Sequence, residues 1–221
     1  MKFLPLFLVY LCFAYTPFQE SPNFWTYQLN EDDIKVSRGP LNSEGLNPFK
    51  AEAKIFYKME EVLAAILDIK NRPNWVPKMD TIRHVSPLGD LEYHFIERYK
   101  TPWPAKDREF LLKGKTIIVS PKHTKLLAES DSKNLSLSST HVEAFIKRME
   151  ISIYRIKMDE TLVVFKMEAN LGGWLPRWLT NLIQKKWPLR FIQGLKKPLR
   201  EKNYHESPYY MEWKTKTMEK L

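Results

Sequence analysis

Residues 91–112 read LEYHFIERYKTPWPAKDREFLL, a stretch that predicts a β-hairpin around its Pro-Trp-Pro turn. On the arm before the turn, alternation places four residues on one face: Tyr93, Phe95, Glu97 and Tyr99. On the arm after the turn, Arg108, Phe110 and Leu112 share one face. A hairpin centred between residues 102 and 103 pairs Phe95 with Phe110, Tyr93 with Leu112, and Glu97 with Arg108. Cross-strand partners have Cβ atoms about 4.5–5.5 Å apart. The pattern therefore predicts an ion pair between Glu97 and Arg108 on an otherwise apolar face.

Two interpretations of this ion pair remain open. It is either a structural pair whose charges compensate their own desolvation, or a polar contact point for a ligand headgroup or hydroxyl inside an apolar cavity. Loss of one partner is costly in both cases, because it leaves a buried charge unpaired.

The rest of the chain contains segments with the hydrophobic period of a strand and segments with that of a helix. Strand patterns cover about residues 34–38, 49–57, 81–85, 141–157 and 161–171, and helical spacing covers about residues 60–70 and 174–200. A sheet with one apolar face needs a cover, and the last helix is the element long enough to supply it. The sequence predicts an α+β fold with helices on one side of an antiparallel sheet.

The first fourteen residues have the pattern of a secretory signal peptide. Lys2 precedes an apolar run from Phe3 to Ala14, which is shorter than the roughly 20 residues that span a bilayer. We expect cleavage near Ala14, within residues 14–21, and an exported, periplasmic or secreted protein. The alternatives are a buried or membrane-surface helix and, less favoured, a lipoprotein through Cys12. Cleavage would remove the chain's one cysteine and lower its net charge from +9 to +8.

Three segments of the chain resemble the START (StAR-related lipid-transfer) domain family. They are the loop at residues 68–77 (DIKNRPNWVP), the run at 99–110 (YKTPWPAKDREF), and the segment from 173 through 189. The resemblance implies a helix-grip fold: a curved antiparallel sheet wrapped around a long C-terminal helix, with a tunnel between them. It also implies binding or transfer of lipids, sterols or phospholipids without catalysis. We expect one such domain at residues 22–203 and a frayed polar tail at 204–221.

A tunnel of this kind would be lined by residues from the hairpin and from the last helix. The candidate ligand-binding residues are Glu97, Arg108, Tyr93, Phe95, Tyr99, Phe110, Trp178 and Leu182. The family's headgroup-reading residues vary with the ligand and do not transfer by position. Trp174 and Trp178 either pack on the sheet or lie where the tunnel meets a membrane, since aromatic side chains favour the water–lipid boundary.

Several other functions lack their sequence signatures. The five histidines are scattered without metal-ligand spacing, and the chain has seven glycines and no phosphate-binding loop. We expect no cofactor, no nucleic-acid partner, a monomer, and transient contact with a membrane surface. The main alternative is a cavity enzyme, cyclase-like or hydrolase-like, with Glu97 and either Tyr93 or Tyr99 as its titratable pair.

Overall fold

The computed structural model describes residues 17–18, 21, 23–42, 47–89, 91–131 and 140–219. The strands are β1 (Thr26–Glu31), β2 (Ile34–Arg38), β3 (Phe49–Ile55), β4 (Met79–Gly89), β5 (Glu92–Tyr99), β6 (Arg108–Ser120), β7 (His123–Ser130), β8 (Val142–Glu143), β9 (Phe145–Lys157) and β10 (Glu160–Asn170). The α-helices are α1 (Met59–Leu67), α2 (Arg177–Glu201) and α3 (Pro208–Met218), and a 3₁₀ helix (Ile69–Asn74) follows α1.

These strands form one sheet with the order β1-β2-β3-β10-β9-β7-β6-β5-β4. Every neighbouring pair along this path is antiparallel, and the short β8 pairs in parallel with β6. The sheet curves around α2, and α1 and α3 also lie on its apolar side. The predicted α+β fold, with a curved antiparallel sheet around a long C-terminal helix, is confirmed.

The core follows the sequence patterns closely. On β3, Phe49, Ala51, Ala53 and Ile55 are buried, while Lys54 between them is exposed. The apolar residues of α1 are also buried, and so are those on the second half of α2: Leu189, Ile192, Leu195 and Leu199. Burial of apolar area from both layers stabilises the fold by roughly 25 cal/mol per Å².

Helical spacing predicts an apolar stripe on the first half of α2, formed by Trp178, Leu179, Leu182, Ile183 and Trp187, and this half is less buried than the stripe suggests. Of the stripe residues there, Leu179 is buried, whereas Trp178 and Leu182 are exposed. This half of the helix crosses an open cavity rather than the packed core, and Leu179 and Leu182 line that cavity. An apolar helix face can therefore border a cavity as well as a core.

The C-terminal segment is a packed helix and not a frayed tail. In α3 the side chains of Tyr210 and Trp213 are buried, and Trp213 Nε1 donates a hydrogen bond to Thr124 Oγ1 at 3.0 Å. The helix begins at an N-cap serine, Ser207, whose hydroxyl accepts from the backbone N–H of Tyr210. The other residues of this helix are mostly polar, so the composition indicated a tail although Tyr210 and Trp213 are buried.

The predicted signal peptide lies outside the described residues. The first described segment already packs on the domain: Phe18 is buried, the Arg148 guanidinium lies 4.2 Å from the centre of its ring, and Arg148 Nη1 donates to the Pro17 carbonyl at 2.7 Å. Within the part of the chain that the structure describes, no helix is long and apolar enough to cross a membrane.

Candidate functional site

An apolar cavity lies between the first half of α2 and the inner face of the sheet. The space, including its open mouth, is about 970 Å³. Its apolar lining comes from β6, β9, β10 and α2 and includes Phe110, Met149, Met167, Leu179, Leu182 and Ile183. The mouth lies beside the β5–β6 loop, where Lys100, Thr101 and Pro102 border the space. We call this space the outer chamber.

A second, smaller space continues the cavity toward the centre of the domain. It is narrower than the outer chamber, and we call it the inner chamber. Its lining includes Trp75, Phe95, Leu126 and Phe191, all of which are buried. Both chambers are bordered by the same four residues, which therefore stand at the boundary between them: Glu97, Tyr99, Met149 and Trp187.

The buried carboxylate of Glu97 is the polar centre of this boundary. Its side chain accepts a hydrogen bond from the Tyr99 hydroxyl at 2.9 Å and forms an ion pair with Arg72 at 3.4 Å. Arg72 is held in turn by a 3.0 Å bond from its Nε to the Ile66 carbonyl, and it lies 5.8 Å from the centre of the Phe95 ring. Glu97, Arg72 and Tyr99 thus form a compact polar cluster at the boundary between the two chambers.

Burial is the main cause of the pKa shifts of Glu97 and Tyr99 in this cluster. It raises the pKa of the Glu97 carboxyl above its ordinary value, although the Arg72 charge and the Tyr99 hydrogen bond act in the opposite direction. Burial, followed by the neighbouring Glu97 charge, raises the pKa of the Tyr99 hydroxyl well above its ordinary value. Tyr99 therefore keeps its proton at neutral pH and serves as a hydrogen-bond donor.

The predicted pairing of Glu97 with Arg108 is wrong. In the β5–β6 hairpin Glu97 lies opposite Phe110, and Tyr99 lies opposite Arg108, so the register is shifted by two residues. The other predicted pairs shift with it, because Phe95 faces Leu112 and Tyr93 faces Gly114. A two-residue shift keeps every side chain on its own face, so alternation could not distinguish the two registers. The long turn sets the register, and the Asp107 carboxylate accepts the Thr101 backbone N–H across it at 2.7 Å.

Arg108 has a different role at the mouth of the outer chamber. Its guanidinium donates to the carbonyls of Leu171, Gly172 and Trp174 at 3.2–3.3 Å and to that of Lys106. These bonds connect the β5–β6 loop to the segment that leads into α2. Arg108 borders the outer chamber and braces the two segments around its entrance.

The remaining predicted residues are divided between the chambers. Phe110 and Leu182 line the outer chamber, Tyr93 and Phe95 line the inner one, and Tyr99 borders both. Trp178 borders neither and is 58% exposed.

Sequence reasoning missed the roles of Arg72 and Trp187. Arg72 lies in the proline-flanked loop, where alternation does not apply, and its position within the Arg-Pro-x-Trp motif was the available signal. Trp187 lay on the predicted apolar stripe of the last helix, but no pattern distinguishes a wall between two spaces from a core contact.

No group of histidine, cysteine or carboxylate residues among the described positions is arranged to hold a metal ion.

The antiparallel sheet wraps around a long helix, and an apolar cavity lies between them. Domains of this class are suited to binding hydrophobic small molecules. The START domain family model matches residues 10–203, and the chain belongs to this family. No curated protein sequence matches the chain.

Solved structures show the same fold at low sequence identity. A STAR-related lipid transfer protein fragment from Xanthomonas axonopodis has a TM-score of 0.71 at 20% identity, with 80% of this chain and 99% of that chain covered. Human StAR-related lipid transfer protein 5 has a TM-score of 0.72 at 16% identity, with 82% of this chain and 88% of that chain covered. The Zhui aromatase/cyclase from a Streptomyces species has a TM-score of 0.51 at 6% identity, with 72% and 99% covered. Similarity at these identities concerns the fold alone.

Proposed function

We propose that this protein binds a lipid, such as a sterol or another amphipathic lipid, inside its cavity and carries it between membranes without chemical change. The observation that carries this proposal is a largely apolar cavity whose inner boundary holds a polar cluster, the buried Glu97 with the half-buried Arg72 and Tyr99. Binding sites for small molecules typically combine apolar walls with a few placed polar groups that orient the ligand.

The cluster favours a neutral ligand group that donates a hydrogen bond. Glu97 offers carboxylate oxygens as acceptors, and the charges of Glu97 and Arg72 offset one another, so a net ionic headgroup gains little there. A ligand hydroxyl that donates to Glu97 would form a hydrogen bond to a charged group, which contributes about 1.5–3 kcal/mol. This corresponds to roughly 10–150-fold in affinity.

Lipid extraction followed by mass spectrometry tests this proposal on protein purified from its own host. We expect a stoichiometric hydroxyl-bearing lipid from the wild type and at least tenfold weaker rebinding of that lipid to Glu97→Gln. Glu92→Gln is the matched control, because Glu92 lies on the same strand and pairs with Lys115 away from the cavity. Protein that carries no lipid and rebinds none would refute the proposal.

A membrane contact at the cavity mouth belongs to the same proposal. Trp103 on the β5–β6 loop is 89% exposed, and Trp174 and Trp178 before and within α2 are 68% and 58% exposed. Arg108 connects the two segments that carry these rings, and Lys78, Lys100 and Lys186 border the cavity nearby. Exposed tryptophans beside lysines suit the interface of an anionic bilayer.

Flotation with vesicles of phosphatidylcholine and phosphatidylserine tests this contact. We expect Trp178→Ala to weaken vesicle binding severalfold and to slow lipid transfer, while binding of lipid from solution stays unchanged. The matched control is Phe56→Ala, which removes an exposed ring at the opposite end of the sheet, beside the β9–β10 turn. Equal vesicle binding by both variants and the wild type would refute a contact through this mouth.

An enzyme with the same cavity is the second candidate function. The Tyr99–Glu97 hydrogen bond favours it, because it places a proton donor and a carboxylate side by side against the ligand space. Tyr93 is less suited, since its hydroxyl bonds to Thr116. Catalysis, and not lipid transport alone, would be established if the recovered lipid differed chemically from the one supplied and Tyr99→Phe abolished that change.

Export across a membrane completes the proposal. The apolar run at residues 3–14 supports it, and the packing of Phe18 favours cleavage before residue 17, because later cleavage would remove a buried side chain. Mass spectrometry of the protein from its own host should give a mature N-terminus at Tyr15. An intact N-terminal Met1 on protein in the cytoplasm would contradict export.

A further inference from the structure

Trp187 is the largest of the four side chains that border both chambers. Trp187 contacts Tyr99 across the cavity, with ring centres 6.4 Å apart, and Met149 of β9 borders both chambers beside them. Tyr99 and Glu97 project from β5, and Trp187 projects from α2 on the opposite side. Trp187 and Tyr99 thus meet between the outer and inner chambers, at the level of the polar cluster.

Trp187 is held firmly in this position. Its Nε1–H donates to the Pro77 carbonyl at 3.3 Å, and its ring packs against Phe165 and Phe191 with centres 5.6 Å away in both cases. Phe49 lies 6.2 Å away on another side. Aromatic pairs with centres 4.5–7 Å apart are favourable, so these contacts stabilise the wall in place.

We propose that Trp187 makes the site selective for lipids whose polar group lies at one end of the molecule, bound with that end innermost. This inference rests on the proposed lipid binding and adds a rule for ligand shape and orientation. A ligand hydroxyl at Glu97 lies at the boundary where Trp187 meets Tyr99, so the apolar body extends back through the outer chamber. A lipid with apolar arms on both sides of its hydroxyl would place one arm against this boundary.

Removal of the indole would join the chambers at the polar cluster. A central hydroxyl could then bind Glu97 with one arm in each chamber. Each methylene that gains or loses burial changes affinity by roughly fourfold. Exclusion of even a short arm therefore gives a large difference between two isomers of the same composition.

The test compares dodecanol, a primary alcohol, with its isomer that carries the hydroxyl on a central carbon. Dissociation constants come from equilibrium dialysis with mass-spectrometric counting of bound alcohol. We expect the wild type to prefer the primary alcohol about tenfold or more, and Trp187→Ala to reduce that preference to about threefold or less. Trp187→Leu, which keeps a smaller apolar side chain, should give an intermediate preference and serves if the alanine variant does not fold.

Leu126→Ala is the matched control, because Leu126 is buried and lines the inner chamber but not the outer chamber. It enlarges that chamber without opening the wall, so the wild-type preference should remain. Equal affinity of the wild type for the two isomers, or an unchanged preference in both Trp187 variants, would overturn the role of Trp187. Failure of the wild type to bind either alcohol or any extracted lipid would instead refute the proposed lipid binding.

Discussion

Replacing Arg72 with methionine isolates the ion pair at the polar cluster of the cavity. Methionine keeps much of the apolar stem and removes the guanidinium, so the buried Glu97 carboxylate loses its charge partner. Glu97→Gln removes the other charge while it keeps the shape and a hydrogen-bonding side chain. The two single variants and the double variant form a thermodynamic cycle whose coupling energy reports the interaction between these two groups.

The magnitude follows from the geometry. Two unit charges 3.4 Å apart attract by about 5 kcal/mol at an effective dielectric constant of about 20. Desolvation costs several kcal/mol for each ion, so the intact pair contributes little net stability. Removal of one partner leaves the other charge buried and unpaired, so we expect each single change to lower the free energy of unfolding by about 3 kcal/mol. The double variant should lose less than the sum, with a coupling energy of about 2 kcal/mol.

Urea unfolding followed by circular dichroism measures all four proteins. The control cycle combines Glu97→Gln with Arg108→Met, because the observed register places Arg108 opposite Tyr99 and not opposite Glu97. We expect these two changes to add within about 0.5 kcal/mol. A coupling of Glu97 with Arg108 that exceeds its coupling with Arg72 would refute the assignment and restore the register expected from the sequence.

Three further predictions concern the fold and the titration of the polar cluster. Trp213→Ala should lower the free energy of unfolding by about 3–5 kcal/mol, because it empties a buried site on α3. The exposed Met211→Ala on the same helix should change it by less than about 0.5 kcal/mol, and equal effects in urea unfolding would mean that α3 does not pack. Gly194→Ala should destabilise by about 1–3 kcal/mol or more in thermal unfolding, since its added Cβ would lie 2.1 Å from the Trp75 carbonyl oxygen; an unchanged melting temperature would contradict that close approach. Because the folded-state pKa of Glu97 is raised, the native state binds more protons than the unfolded state, and this group's contribution to stability falls as pH rises from about 4.5 through the folded pKa. The unfolding free energy of the wild type relative to Glu97→Gln should therefore decrease between pH 4 and pH 8, and an increase over that range would mean that the pKa is lowered.

Alternation and helical spacing predicted the elements because both patterns are local. The inward side chains of β3, the helix at Met59–Leu67 and the long helix at Arg177–Glu201 follow directly from the periods of the apolar residues. The α3 helix was missed because its two buried anchors, Tyr210 and Trp213, stand among polar residues.

The site was only partly predictable for a related reason. Alternation assigned Glu97 to the inner face of β5, and that face is the one that lines the cavity. It could not decide whether Arg108 or Arg72 is the partner, because strand register depends on the turn and because a loop residue has no periodic position. The Asp107–Thr101 hydrogen bond in the turn and the return of the 3₁₀ helix toward β5 decide this question.

The sequence by itself determined the hairpin at residues 91–112: two amphipathic strands, a carboxylate at Glu97 on the apolar face, and a proline-rich turn. Tertiary structure alone decided the partner of that carboxylate, the bracing role of Arg108 and the wall formed by Trp187. The physical reason is that period-two and period-3.6 patterns specify which face a side chain occupies, whereas contacts between distant elements depend on register and packing.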